Sequence, residues 1–175
     1  MIIGGYSADG SVDTVELLSL KSPKPECLKS RGSFPKKLYG AFGAFLEGRG
    51  VVCGGQDEHY NYLSTCWTYD TATDKWEEYG RMREARFLSA AALNNQYGWV
   101  ISGGYGTDGQ RGPKSSVEHT SDGRNFETLP SMPITLNSHC LVSLDGDEDG
   151  LFYYWGLRWQ WLQQQDIHIQ ERQLE

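Results

Sequence analysis

The sequence closes an apolar run with a glycine pair three times: "MIIGG", "GVVCGG" and "WVISGG". The second glycines are Gly5, Gly55 and Gly104, spaced 50 and 49 residues apart. A further 52 residues lead to Gly156, in "YYWG". A period of this length constrains the fold more than any composition value. Each unit can bury its apolar face only against its neighbours, so the chain reads as an array of like units.

The register extends beyond glycine. Trp67 and Trp76 are nine residues apart, and so are Val117 and Phe126. Trp76 leads to Met82 in six residues, and Phe126 leads to Met132 in six. Small-residue apolar runs, "YGAFGAFL", "FLSAAAL" and "SHCLVSL", open successive units. Each unit reads as four short strands. After "FLSAAAL", the turn "NNQYG" leads to "WVISGG". The loop "YGTDGQRGPK" then leads to "SSVEHTS", and the turn "DGRN" to "FETLP". Asn, Asp and Gly in these connections accept the positive φ of tight hairpins. "WVISGG" is continuously apolar, as expected of a strand buried on both faces. Glycine supplies 21 of 175 residues, well above the usual share of about 7%. Four-stranded units of this length predict the blades of a β-propeller.

The glycine pair after an apolar strand, followed in "TYDTATDKW" by Tyr69, Asp70 and Trp76, resembles the kelch repeat. "MIIGGYSADGSVDTVELLS" and "LPSMP" look like the same family. The likeness covers residues 1–156, leaving 157–175 as an atypical tail. Departures exist: the first unit lacks the Trp, Phe126 replaces it in the third, and "EHTSD" stands for "TYDTATD". The resemblance implies an all-β fold, a partial kelch β-propeller with two complete four-stranded blades and two partial ones. It also implies that the glycine pair ends the second strand of a blade. Tyr69 and Trp76 are then core residues, with the tryptophan between blades. Kelch propellers at this period need roughly 300 residues for six blades. The sequence is therefore expected to form an open arc and to be a fragment of a longer kelch protein.

The tail, "LFYYWGLRWQWLQQQ" onward, has two readings. Tryptophan has one codon, and in the next frame it begins GG, which always encodes glycine. Trp155, Trp159 and Trp161 would each become glycine, and with suitable synonymous codons residues 153–174 would decode as another kelch strand and loop. The other reading is a C-terminal helix, "LRWQWLQQQDIHIQERQLE", because Leu, Gln, Glu and Arg are good helix formers.

The chemistry legible in the chain is sparse. A net charge of −7 argues against general binding to a phosphate backbone. No apolar run of about 18 residues is present, so no membrane span is indicated. The N-terminus lacks the basic and apolar regions of a signal peptide. Cys27, Cys53, Cys66 and Cys140 form no C-x-x-C pair and read as buried free thiols, pointing to a reducing, cytoplasmic setting. "DGDEDG" (145–150) matches the first half of a calcium loop, but the position wanting Glu is Gly156, so it reads as a solvated turn. His59, His119, His139 and His168 lack metal-ligand spacing. His139 and Cys140 are neighbours on a strand and point to opposite faces. No catalytic set, metal or cofactor is expected.

What remains is surface for a protein partner. In kelch propellers, the connections between second and third strands and those joining blades commonly contact partners. Here the former are "YSADGSVD", "QDEHYNYLS" and "YGTDGQRGPK". Tyr60, Tyr62, Tyr105 and Arg111 are the candidate anchors, since exposed Tyr and Arg favour binding hot spots. The expected function is a protein-binding module, a fragment of a ubiquitin-ligase substrate adaptor or scaffold. Alternatives are a fragment of a propeller enzyme (copper oxidase or sugar epimerase type) or a nonfunctional gene fragment. Neither nucleic acid nor membrane is an expected partner.

Overall fold

The computed structural model describes residues 1–19, 24, 26–29, 32–70, 72–106, 112–144, 150–155 and 158–162. Residues 19, 26–29, 144, 150–155 and 158–162 are described through their backbone. The chain is all-β, built from antiparallel meanders that follow one another along the sequence. The first blade has β1 (Ile2–Ile3), β2 (Val15–Ser19) and β3 (Glu26–Lys29) in spatial order. The second has β4 (Phe42–Leu46), β5 (Arg49–Cys53), β6 (Thr65–Asp70) and β7 (Lys75–Arg81). The third has β8 (Ala90–Asn94), β9 (Gly98–Ser102), β10 (Val117–Thr120) and β11 (Glu127–Leu129). The fourth has β12 (Cys140–Leu144), β13 (Gly150–Trp155) and β14 (Arg158–Leu162). Two complete four-stranded blades thus stand between two three-stranded ones, as the sequence led us to expect.

The tail departs from the helical reading. Arg158–Leu162 pairs antiparallel with β13, from Trp155↔Arg158 to Leu151↔Leu162. "RWQWL" alternates aromatic and polar residues, and tryptophan favours strands, so pairing with a formed neighbour outweighs helix propensity. Residues 163–175 lie outside the described residues, as does most of the "DGDEDG" turn.

The glycine pairs have a physical cause. Gly4, Gly54 and Gly103 take φ of 61°, 67° and 58°. Their N–H groups donate to the third strand region of their own blade, at Thr14, Thr65 and Ser116. The second glycines donate outward, to the carbonyls of Leu38, Arg86 and Leu136 at 2.9, 2.8 and 2.8 Å. Those carbonyls belong to the segments leading into the next blade. A Cβ on the first glycine would stand only 2.5, 2.6 and 2.4 Å from the same three oxygens. Left-handed backbone and close approach of a neighbouring chain both demand glycine. The fifty-residue period is therefore a hydrogen-bonded joint, repeated three times, that ties each blade to its successor.

Apolar side chains fill the junctions. Trp76 packs edge-on against Phe34, 4.8 Å between ring centres, in a cluster with Val15 and Leu38 between the first and second blades. Tyr69 leans on Trp76 at 5.1 Å. Phe126 joins Leu46, Met82 and Trp99 between the second and third. The kelch-like aromatic position is an inter-blade wedge, as the resemblance implied.

Two readings of the cysteines are corrected. Cys53 and Cys66 are register partners on β5 and β6, with Cα atoms 4.1 Å apart, and form a disulfide. The loop between β5 and β6 brings them face to face across 13 residues of sequence, a pairing no spacing motif announces. Cys140 is free but exposed rather than buried.

The second junction also holds a polar cluster. Arg86 is fully buried, and its Nε donates to Glu118 Oε1 at 3.0 Å, with Glu118 only 1% exposed. Its Nη1 donates to the carbonyls of Gly103 (2.8 Å) and Ser116 (3.0 Å). Its Nη2 reaches Glu84 and Ser116 Oγ. Lys114 Nζ lies 2.9 Å from the same Glu84 oxygen. Burial pushes the Glu84 carboxyl up. Bonds from Lys114 and Ser116 and the nearby Arg86 charge outweigh that and hold it below its ordinary value.

Candidate partner-binding surface

The connections between second and third strands meet the inter-blade linkers at one end of the arc. Leu38–Tyr39, entering the second blade, pairs with Gln56–Asp57 of that blade's loop. Phe87, entering the third, bridges to Tyr105. Lys114 bridges to Leu136 at the next junction. After each linker one residue is left-handed: Gly40 (φ 63°), Leu88 (φ 55°) and Ser138 (φ 51°). That turn sends the chain into the inner strand. It also puts Tyr39 and Phe87 at equivalent places on the rim.

Aromatic rings run across this end in contact. Tyr6 meets Tyr39 edge-on at 5.1 Å, and Tyr39 meets Phe87 at 4.9 Å. Tyr62 stacks on Phe87 at 5.5 Å with planes 9° apart, and Tyr105 lies 6.3 Å from the same ring. Residues from three blades thus make one surface. Tyr6 and Tyr60 flank it, 70% and 64% exposed. Tyr39 Oη donates to Gln56 Oε1, and Gln56 Nε2 donates to the Tyr60 carbonyl at 3.2 Å. Burial, with the neighbouring hydroxyls of Tyr6, Tyr60 and Tyr62, raises the Tyr39 pKa above its ordinary value. The phenol stays neutral and remains a donor.

Asp57 shapes the loop that carries Tyr60 and Tyr62. Its Oδ1 accepts from the backbone of His59 (2.9 Å) and Asn61 (2.8 Å), and its Oδ2 accepts from Asn61 Nδ2 (3.0 Å). Burial pushes its carboxyl up, but these donors prevail and hold it below the usual range. The ionised group pins a tight turn in which Tyr60 is left-handed, φ 63°.

Of the sequence candidates, Tyr62 and Tyr105 converge on Phe87, and Tyr60 stands on the same loop as Tyr62. Arg111 lies outside the described residues. Sequence reasoning missed Tyr6, Tyr39 and Phe87. One signal was available: Tyr6 and Tyr105 each directly follow the second glycine of a pair, so register alone makes them equivalent. Tyr39 and Phe87 open the apolar runs "YGAFGAFL" and "FLSAAAL", which read as inner strands and hide their place on the rim.

A hydroxyl–imidazole pair lies elsewhere. Ser102 Oγ and His139 Nε2 are 2.9 Å apart, both buried, and His139 Nδ1 has no hydrogen-bond partner. Burial lowers the imidazole pKa to about 4, so it is neutral near pH 7. No group of three or more metal-ligating side chains occurs among the described residues.

Four-stranded blades, hydrogen-bonded glycine joints and an aromatic wedge between blades define a partial β-propeller. Residues 44–83, from the inner strand of the second blade through its outer strand, match the Kelch motif family. No curated protein matches. Among solved structures sharing the fold is one titled "Structure of YjhT", with a TM-score of 0.69 and 14% identity. The match covers 86% of this chain and 54% of that one. The likeness is one of fold, and the chain spans about half the length of that structure.

Proposed function

We propose that this chain is a protein-binding module whose partner seats on the loop end described above. The continuous contact of Tyr6, Tyr39, Phe87, Tyr62 and Tyr105 across three blades carries this reading. Tyrosine combines apolar area with a polar tip at low conformational cost, which suits it to interface anchoring. The kelch motif at 44–83 supports the same class of function. The net charge of −7 favours a protein over nucleic acid or an anionic membrane surface. Burial of both Ser102 and His139 favours binding over catalysis, because no substrate reaches the pair. The finer role is that of a ubiquitin-ligase substrate adaptor or scaffold, of which this chain supplies part of the propeller. That role rests on the resemblance to kelch-like proteins. A cytoplasmic location rests on reading the cysteines as free thiols, and the Cys53–Cys66 bond weighs against it, since disulfides seldom persist in a reducing compartment.

Site-specific photo-crosslinking tests the proposal. A benzoylphenylalanine at Tyr60 reports on the loop end, and one at Arg124, in the turn before β11, on the opposite end. The expected result is a defined crosslinked product from position 60 alone, lost when Tyr6 and Tyr62 become alanine. Equal products from both ends would refute the assignment.

A further inference from the structure

Opposite the aromatic loops, the second junction brings two arginines to one tyrosine. Tyr79 stands on β7, the edge strand of the second blade. Cys66 pairs with Gly80 and Trp67 with Glu78, so Tyr79 is the extra residue of a β-bulge. Bulges re-aim side chains, and the half-buried ring of Tyr79 packs on the cluster that holds Leu46, Val51 and Phe126. The third blade approaches the same strand. A Cβ on Gly80 would stand 2.4 Å from the Gly123 carbonyl oxygen and 2.6 Å from the Arg124 Cα, so glycine admits the turn before β11. Asp122 pins that turn, its Oδ1 accepting from the N–H groups of Arg124 (2.8 Å) and Asn125 (2.9 Å). Arg124 Cζ thereby lies 4.2 Å from the centre of the Tyr79 ring. Arg49, at the start of β5, brings its Cζ to 5.8 Å from the same centre. Both distances are within the roughly 6 Å reach of cation–π attraction.

Among the described residues neither guanidinium forms an ion pair or a hydrogen bond, in a chain of net charge −7. Asp70, the acid whose carboxyl feels Arg49, already accepts from the Ala72 N–H (2.8 Å) and the Thr73 hydroxyl (2.7 Å). The two cations therefore keep their donors for an anion beside the phenol. We propose that Tyr79 is a phosphorylation site and that Arg49 and Arg124 receive its phosphate. The phosphoryl donor is a nucleoside triphosphate held by a tyrosine kinase. Tyr79 Oη attacks the γ-phosphorus and the bond to the bridging β,γ-oxygen breaks. The phenolic proton passes to a base of the kinase, and the nucleoside diphosphate leaves. Glu77 and Glu78 directly precede Tyr79 and are exposed, which suits a basic substrate groove. The edge strand leaves one row of backbone groups free for the enzyme to pair with. The phosphate adds about −1.5 to −2 charges and three acceptor oxygens, which guanidinium groups match with paired donors. Arg49 belongs to the second blade and Arg124 to the third, so one phosphate ties the two together. This inference rests on the second junction and not on the aromatic loop end.

Incubating the 175-residue chain with magnesium ATP and the catalytic domain of a tyrosine kinase that accepts acidic peptides tests the modification. Tandem mass spectrometry should place a phosphate on Tyr79, and Tyr79→Phe should remove that product. Phosphate on other tyrosines alone, or none, overturns the proposal. Phosphotyrosine installed at position 79 by codon suppression tests the two arginines. The phosphorylated chain should unfold at higher urea than the unmodified one, its folded-to-unfolded ratio raised about tenfold. About 1 M salt should shrink that gain by screening. Arg49→Gln and Arg124→Gln should each remove much of it. Both side chains are exposed, so the unmodified variants should keep the urea transition of the unaltered chain. No gain on phosphorylation, or a gain that survives both substitutions, overturns the assignment of the arginines.

Discussion

Arg86→Leu is the sharpest probe of how these blades are joined. The substitution leaves the Glu118 carboxylate, 1% exposed, without its cation. It also strips a donor from the carbonyls of Gly103 and Ser116. Breaking a buried pair by removing one partner costs about 3–5 kcal/mol, a large share of the 5–15 kcal/mol typical of a domain. The repeat supplies a repair. At the preceding junction the position of Arg86 is held by Leu38. Strand pairing moves the sequence alignment by one residue: Trp67 lies opposite Val52 and Glu118 opposite Ile101, each two residues before its glycine pair, so Trp67, which packs against the Leu38 cluster, holds the position of Glu118. Arg86→Leu combined with Glu118→Leu therefore recreates an apolar joint. The double variant still leaves the Arg83 N–H without Glu118 Oε2, its acceptor at 2.8 Å, at about 1–3 kcal/mol. It should nevertheless be more stable than Arg86→Leu alone. Urea unfolding followed by tryptophan fluorescence measures this, with an unchanged m-value as the check on two-state behaviour. A double variant as unstable as the sum of the two singles would show that Arg86 and Glu118 are not coupled.

The glycine joint predicts a contrast. Gly48→Ala suffers only its left-handed φ of 79° in open space, about 1–2 kcal/mol, whereas Gly54→Ala adds a clash 2.6 Å from the Arg86 carbonyl and should cost at least about twice as much. Equal losses in thermal denaturation would remove the clash from the explanation. Acid should weaken the fold through His139. Between its ordinary pKa of about 6.5 and the folded value of about 4, the unfolded chain binds a proton that the folded chain does not. Stability therefore falls as pH drops through that window, by up to about 3 kcal/mol. His139→Gln should flatten that slope, and an unchanged slope in pH-stepped unfolding counts against the assignment. Reduction of Cys53–Cys66, which closes a loop across 13 residues, should lower stability by about 3 kcal/mol. Thiol titration without reductant should find both cysteines blocked, and two reactive thiols there would contradict the bond.

How much of this was legible in the sequence follows from what repeats and what does not. The glycine pairs repeat because the same backbone joint repeats, and backbone geometry leaves few choices of residue. Trp76 and Phe126 repeat because each must fill the same wedge. The blade boundaries followed from these marks. The chemistry at each junction does not repeat. Leu38 with Trp67 and Arg86 with Glu118 occupy one geometric position and satisfy it by opposite means, so register finds the place but not its content. The disulfide is hidden for a related reason: Cys53 and Cys66 meet only because β5 and β6 pair in one particular register. The aromatic surface is intermediate. Tyr60, Tyr62 and Tyr105 could be found as loop residues, while Tyr39 and Phe87 could not. Their role depends on a left-handed residue after each linker, and at Leu88 and Ser138 no glycine announces it. A repeat fold is therefore most readable where the backbone dictates the residue. It is least readable where neighbouring blades negotiate side chains, and the exposed loop surface is built from both kinds of position.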